Sequence, residues 1–142
     1  MKVVVDTNVV FSGMLNTNSR IANILLRPKT EYIYYSVKRL RVEMERHSSK
    51  LMTLAGYTDQ EFRRVFTLFS SKILFIDRQL IPKQFYHEAL LLTEDIDIDD
   101  TEFVALAMYL NGKLWSGDNT LKKGLINKGW NQFISVDELT KQ

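Results

Sequence analysis

The sequence contains no cysteine. That excludes a disulfide scaffold, a thiol nucleophile and any cysteine-ligated zinc site. Histidine is nearly as scarce: His47 and His87 stand far apart and outside the HExxH spacing of a zinc protease. Metal chemistry in this chain therefore has to run on carboxylates, which favour hard cations such as Mg²⁺ or Mn²⁺. No apolar run approaches the roughly 18–20 residues of a membrane helix. The opening Met1-Lys2-Val3-Val4-Val5-Asp6 reaches an acid too early for a signal peptide, so a cytoplasmic protein with no membrane partner is expected. The nucleotide-binding and hydrolase signatures GxxxxGKS/T, GxGxxG and GxSxG are missing as well. Nor does one sign of charge dominate. The 19 basic and 17 acidic residues leave a net charge of +2, which permits a nucleic-acid partner without demanding one.

What is present describes an ordinary soluble fold. The 142 residues are 45% hydrophobic and 25% charged, enough for one domain over 1–142. Repeats, linkers and low-complexity stretches are not evident.

Val3-Val4-Val5 is an unbroken β-branched run, expected of a strand buried on both faces of a parallel sheet. It stops at Asp6-Thr7-Asn8, which favour turns and helix caps. The first predicted helix follows at Ile21–Leu26, closed by Pro28; a second strand is predicted at Tyr32–Tyr35, with Ser36 as an N-cap. Val37, Leu40, Met44, Leu51 and Leu54 predict one helix from Val37 to about Ala55, ended by Gly56. Thr58 and Glu61 suggest a capping box opening a helix through Phe62, Val65, Phe66 and Phe69. Ile73–Ile76 is a third predicted strand and Phe85–Leu92 another helix, followed by an acidic loop. Asp100–Leu110 reads as a helix stopped by Gly112; Leu114-Trp115 is a short strand, with a helix through Leu121 and Ile126. Phe133-Ile134 and Val136–Leu139 predict a last strand and a terminal helix. Alternating strands and helices imply an α/β/α arrangement, three layers around a mostly parallel sheet.

In such sheets ligands bind beyond the carboxyl ends of the strands. Asp6 and Asp118 both fall there, and each also has a plain reading as a helix cap. Glu43 sits at the border of the apolar stripe on its helix, placed to reach inward or to pair with Arg39 or His47. Glu45 points to solvent, within reach of Arg41. The densest signal is Glu94–Glu102. There Asp99 and Glu102 have capping-box spacing, whereas Asp100 falls near the inward face with Val104 and Ala107. Carboxylates that converge on one crevice repel, so one must protonate or a cation must bind. A divalent ion in such a crevice suits phosphodiester hydrolysis. Arg39, Arg46 and Lys50 share a flank with Glu43, read either as phosphate contacts or as a solvated face. Tyr32, Tyr34, Tyr35 and Trp115 are assigned to packing rather than to base stacking.

Taken together, Val3–Val10 (VVVDTNVV), Asp100–Ala107 (DTEFVALA) and Leu114–Asp118 (LWSGD) resemble the acidic motifs of the PIN-domain nucleases, and the likeness extends over essentially the whole chain. The resemblance implies a PIN-like α/β/α fold with an acidic pocket of Asp6, Glu43, Asp100 and Asp118. Within it Asp6, Asp100 and Asp118 would ligate one or two Mg²⁺ or Mn²⁺ ions. Asn8 and Ser116 match positions that support the pocket by hydrogen bonding. Also implied are endoribonuclease activity on single-stranded RNA and similarity to small, often dimeric, toxin-type (VapC-like) members held inactive by an antitoxin. Two other classes stay open: a non-catalytic module binding RNA or protein on the same fold, and, remotely, a phosphoacceptor domain.

Overall fold

In the computed structural model, which describes residues 1–28 and 30–141, the valine run forms β1 (Lys2–Val5) inside a four-stranded parallel sheet ordered β3-β2-β1-β4. Its neighbours are β2 (Ile33–Val37) and β4 (Lys113–Trp115), with β3 (Ile73–Ile76) on the far edge. The register pairs Val4 with Tyr35 on one side and with Leu114 on the other. Val3, Val4 and Val5 are wholly buried, as a central strand covered by helices on both faces requires. One covering layer is α7 (Thr101–Leu110), packed on β1, β2 and β4, with α6 (Lys83–Thr93) against it and α8 (Asn119–Asn127) against α6. The opposite layer gathers α2 (Arg20–Leu25), α3 (Arg39–Arg46), α4 (Ser48–Ala55) and α5 (Asp59–Ser70) around α1 (Thr7–Leu15). Short α9 (Val136–Thr140) rests on α2. The architecture is the expected three-layer α/β/α sandwich. Among the described residues no helix is long and apolar enough to cross a membrane.

Several local expectations are corrected. The segment after β1 is not merely a turn: Thr7–Leu15 is helical, capped by Asp6. Its apolar residues do not form a single stripe, and Val9 and Val10 are β-branched, so the sequence hides the helix. Tertiary packing stabilises it. Gly13 lies so close to α5 that a Cβ there would sit 2.8 Å from Phe69 Cε1.

The long helix predicted from Val37 is instead two, broken at His47. There the Ser48 hydroxyl donates to the Glu45 carbonyl at 2.7 Å, a local bond that competes with the helical ladder. Leu40, Met44 and Leu51 are buried, but after the break Leu54 turns outward and is 58% exposed. Ser36 does not cap this helix. It is fully buried in β2 and its hydroxyl donates to Val5 O at 2.7 Å, stitching the two strands.

The strand predicted at Phe133-Ile134 is a single parallel bridge between Phe133 and Leu114. Ser135 then opens α9 with a capping box, which draws the chain away from the sheet. Helix α7 ends on Asn111 in the left-handed region (φ 51), one residue before Gly112. Gly112 is needed for another reason: a Cβ there would lie 2.7 Å from Lys2 O.

The predicted capping boxes of α5 and α7 differ in fate. Thr58 and Glu61 form theirs as expected. Asp99 caps nothing; its carboxylate goes to Arg39, and Asp97 accepts the Asp99 amide instead.

Candidate functional site

The carboxyl ends of β1 and β4 lie side by side, because the Asp6 amide continues the ladder to Trp115 O at 3.0 Å. Each strand leads to an aspartate that caps the next helix, Asp6 directly after β1 and Asp118 after Ser116 and Gly117. Asp6 Oδ1 accepts from Thr7 N at 2.7 Å, and Asp118 Oδ1 accepts from Leu121 N at 3.1 Å. The capping reading of both residues is therefore correct; the second oxygen of Asp6 goes to Ser116 and Asn8, while Asp118 has a carboxylate oxygen close to those of Asp97 and Asp100.

Ser116 joins them. Its hydroxyl donates to Asp6 Oδ2 at 2.8 Å and accepts from the Asp118 amide at 3.1 Å. Asn8 braces the same corner, its Oδ1 accepting from Gly117 N at 2.9 Å and its amide approaching Asp6 Oδ2 and Ser116 Oγ, each at 3.4 Å. Asp6 is only 4% exposed, and burial pushes its carboxyl up to about 6 despite the opposing bonds from Ser116 and Thr7. Glu43 and Asp118 add to the rise.

Glu43 enters from α3. Its Oε1 accepts from Thr7 Oγ1 at 2.8 Å and stays 3.9 Å from Arg39 Nε, so it reaches inward while keeping a loose border ion pair. Asp100 closes the crevice from the other layer, at the end of a 3-10 turn (Ile98–Asp100) and the start of α7. Its side chain caps nothing, and its Oδ2 is buried with no hydrogen-bond partner among the described residues. Burial, followed by the nearby charges of Asp6, Asp97, Asp118 and Glu43, raises its carboxyl to about 8.

Asp97 is the residue that the sequence reading passed over. Asp97, Asp100 and Asp118 each offer a carboxylate oxygen, all within 4.8 Å of one another. The signal is the short Asp-x-x-Asp spacing, closed by a turn in which the Asp100 amide donates to Asp97 O at 3.2 Å.

The three basic residues do not act as one patch. Arg39 Nη2 binds Asp99 Oδ1 at 2.8 Å and Nη1 lies 3.6 Å from Glu102, so Arg39 neutralises the rim of the crevice. Arg46 and Lys50 are exposed on α3 and α4, on either side of the break at His47. Glu45 is exposed as expected, while Arg41 turns from it to stack 4.2 Å over the Phe75 ring. Tyr34 and Trp115 are buried in the core with ring centroids 6.1 Å apart, in keeping with the packing assignment.

This donor set is all oxygen, and one member, Asp100, carries a buried oxygen that no donor meets among the described residues. It suits a hard divalent cation such as Mg²⁺ or Mn²⁺. The buried, unpartnered Asp100 Oδ2 is the feature that such an ion would satisfy.

A family model described as PIN domain matches residues 4–133. Among solved structures, the chain is similar to one from the crystal structure of VapBC2 from Rickettsia felis bound to a DNA fragment from their promoter. The TM-score is 0.68 at 16% sequence identity, covering 95% of this chain and 97% of that one. At that identity the likeness establishes the fold. No curated protein matches the sequence.

Proposed function

The chain belongs to the PIN domain family, and from that membership we propose that it is a metal-dependent endoribonuclease cutting single-stranded RNA, the toxin of a toxin–antitoxin pair. The observation that carries this reading is Asp100, which has a buried, unpartnered oxygen and whose carboxylate lies with those of Asp97 and Asp118 around a gap of ion size.

Asp6, Asp100 and Asp118 would hold Mg²⁺ or Mn²⁺, with Asp97 as a further ligand at the rim. When bound, such an ion supplies Lewis acidity and neutralises charge developing on the phosphate and the leaving oxygen. The chain's own groups do the rest. Ser116 and Asn8 keep the Asp6 carboxylate in one orientation and favour its ionised form. Glu43, held by Thr7, stands ready to accept a proton from an attacking water. The products would carry a 5′-phosphate and a 3′-hydroxyl.

The toxin role draws its support from the structural likeness to a chain of a VapBC complex. It implies a small antitoxin partner, a homodimer and a cytoplasmic setting. The test is cleavage of a labelled single-stranded RNA with Mg²⁺ or Mn²⁺, alongside EDTA and the Asp100→Asn variant. Metal-dependent cutting that is lost in the variant is expected. Partner-free protein that cuts nothing would overturn the nuclease reading in favour of a binding module.

A further inference from the structure

Next to the acid crevice the fold opens a larger cleft, with a volume of about 1040 Å³. Its walls are the 3-10 turn Arg78–Leu80, the first turns of α6, and the turn leading into α7. Arg39 closes the end nearest Glu43. We infer that this cleft binds the unpaired nucleotides beside the scissile phosphate of a single-stranded RNA, with a base against Tyr86 and phosphates on Arg78 and Lys83. The inference rests on the nuclease reading above and names where its substrate lies.

Charge is the first argument. Two acids line the cleft, Asp99 and Glu102, but Arg39 lies against both at 2.8 and 3.6 Å. Arg78 meets Glu102 only through Nε, at 3.9 Å, and its side chain is 72% exposed. Lys83 has no ion pair among the described residues. Two cations are thus left facing solvent at the mouth, where a phosphate backbone would pass.

The second argument is the pairing of cation and ring. The Arg78 guanidinium sits 5.3 Å from the centroid of the Tyr86 ring, and the Tyr86 hydroxyl donates to Arg78 O at 3.1 Å, fixing the ring's direction. Leu90 and Ile98 supply apolar wall around it. A base on an aromatic face with its phosphate on a neighbouring cation is how single strands are held without sequence readout. A duplex keeps its base faces stacked on one another and could not use this ring.

Continuity and size agree. Asp99 and Thr101 line the cleft and flank Asp100 in the chain, so a strand lying in it runs straight into the acid crevice. The volume reaches the upper end of the roughly 300–1,000 Å³ usual for ligand sites.

The experiment uses full-length Asp100→Asn protein in EDTA and a fluorescein-labelled oligouridine of about 12 nucleotides, within the usual single-strand site sizes. Anisotropy is followed across a salt series. Adding Arg78→Ala with Lys83→Ala should weaken binding about tenfold or more. It should also flatten the slope of log K against log salt by about 1.4, or roughly 0.7 for each phosphate contact. Tyr86→Leu should weaken binding about tenfold with the slope unchanged. A charge-matched pair elsewhere, Arg64→Ala with Lys141→Ala, should change neither, and thermal melts confirm that each variant is folded. Equal affinity and slope in the Arg78/Lys83 variant would overturn the inference. So would failure of the parent protein to bind the oligonucleotide, which would leave the cleft to a protein segment. Cleavage of the same oligonucleotide by protein with Asp100 intact is read separately with Mg²⁺. Cutting without cleft-dependent binding sinks the cleft alone, and cleft-dependent binding without cutting sinks the nuclease reading alone.

Discussion

Ser116 and Asp6 lie 110 residues apart in the chain, yet the Ser116 hydroxyl donates to Asp6 Oδ2 at 2.8 Å inside a fully covered corner of the sheet. Parallel pairing of β1 with β4 makes the contact, and through the Asp118 amide the same hydroxyl ties both strand-end acids together. Ser116→Ala should leave Asp6 Oδ2 with only its distant Asn8 contact and push the Asp6 carboxyl further up. Cleavage should fall roughly tenfold and stability by about 1–2 kcal/mol. The acid limb of the pH–rate profile, shifted to higher pH in the variant, checks the assignment.

Asp100→Asn is expected to abolish cleavage without unfolding the protein. The buried Asp100 oxygen has no partner, so replacing it with a neutral amide removes a desolvated charge. Without metal at about pH 8, the variant should be at least as stable as the wild type. A thermal melt checks this, and a large loss of stability would mean that Asp100 is structural.

Asp97→Asn separates the rim of the site from its centre. Asp97 is exposed and shares the ion-sized gap with Asp100 and Asp118. The Mg²⁺ concentration giving half-maximal cleavage should rise about tenfold, while the rate at saturating Mg²⁺ changes little. A titration of rate against Mg²⁺ decides it.

The pH dependence of the metal-free fold follows from two raised acids. Asp6 near 6 and Asp100 near 8 both lie above their ordinary value of 3.8. Between those limits the native state keeps protons that the unfolded chain has released, so stability falls as pH rises. The melting temperature without metal should drop from about pH 4 to about pH 8.5, and in Asp100→Asn the drop should end near pH 6, where Asp6 alone has released its proton. Added Mg²⁺ should raise the melting temperature more at the high end, where no proton competes for the carboxylates. A rising or flat profile in metal-free protein would contradict the environment described for Asp100.

Gly13→Ala tests the hidden helix. The new methyl would meet Phe69, a buried ring of α5, so a loss of about 1–3 kcal/mol is expected in urea unfolding.

Much of the scaffold was legible because its signals are local. The Val3–Val5 run shows burial on both faces in its own residues. Thr58 with Glu61 states where α5 begins, and Phe103, Val104 and Ala107 mark the inner face of α7. The break at His47 was not legible, because the stripe of apolar residues continues across it and only Leu54, turned outward, betrays the change. Nor was α1, whose apolar residues lie around the helix without a polar side and whose cap, Asp6, is also the first acid of the site.

By itself the sequence determined the sheet, the alternation of layers and the strand-end positions of Asp6 and Asp118, since period, β-branching and capping act over a few neighbouring residues. Tertiary structure alone decided the chemistry of the crevice. Ser116 between two strand ends, Glu43 on Thr7, Asp118 beside Asp97 and Asp100, and Arg39 drawn away to Asp99 and Glu102 are all contacts between segments distant in the chain. The charge state of Asp100 depends on burial and on four other carboxylates brought near it by the fold. Desolvation and Coulomb repulsion are properties of assembled space, and no stretch of residues carries them alone.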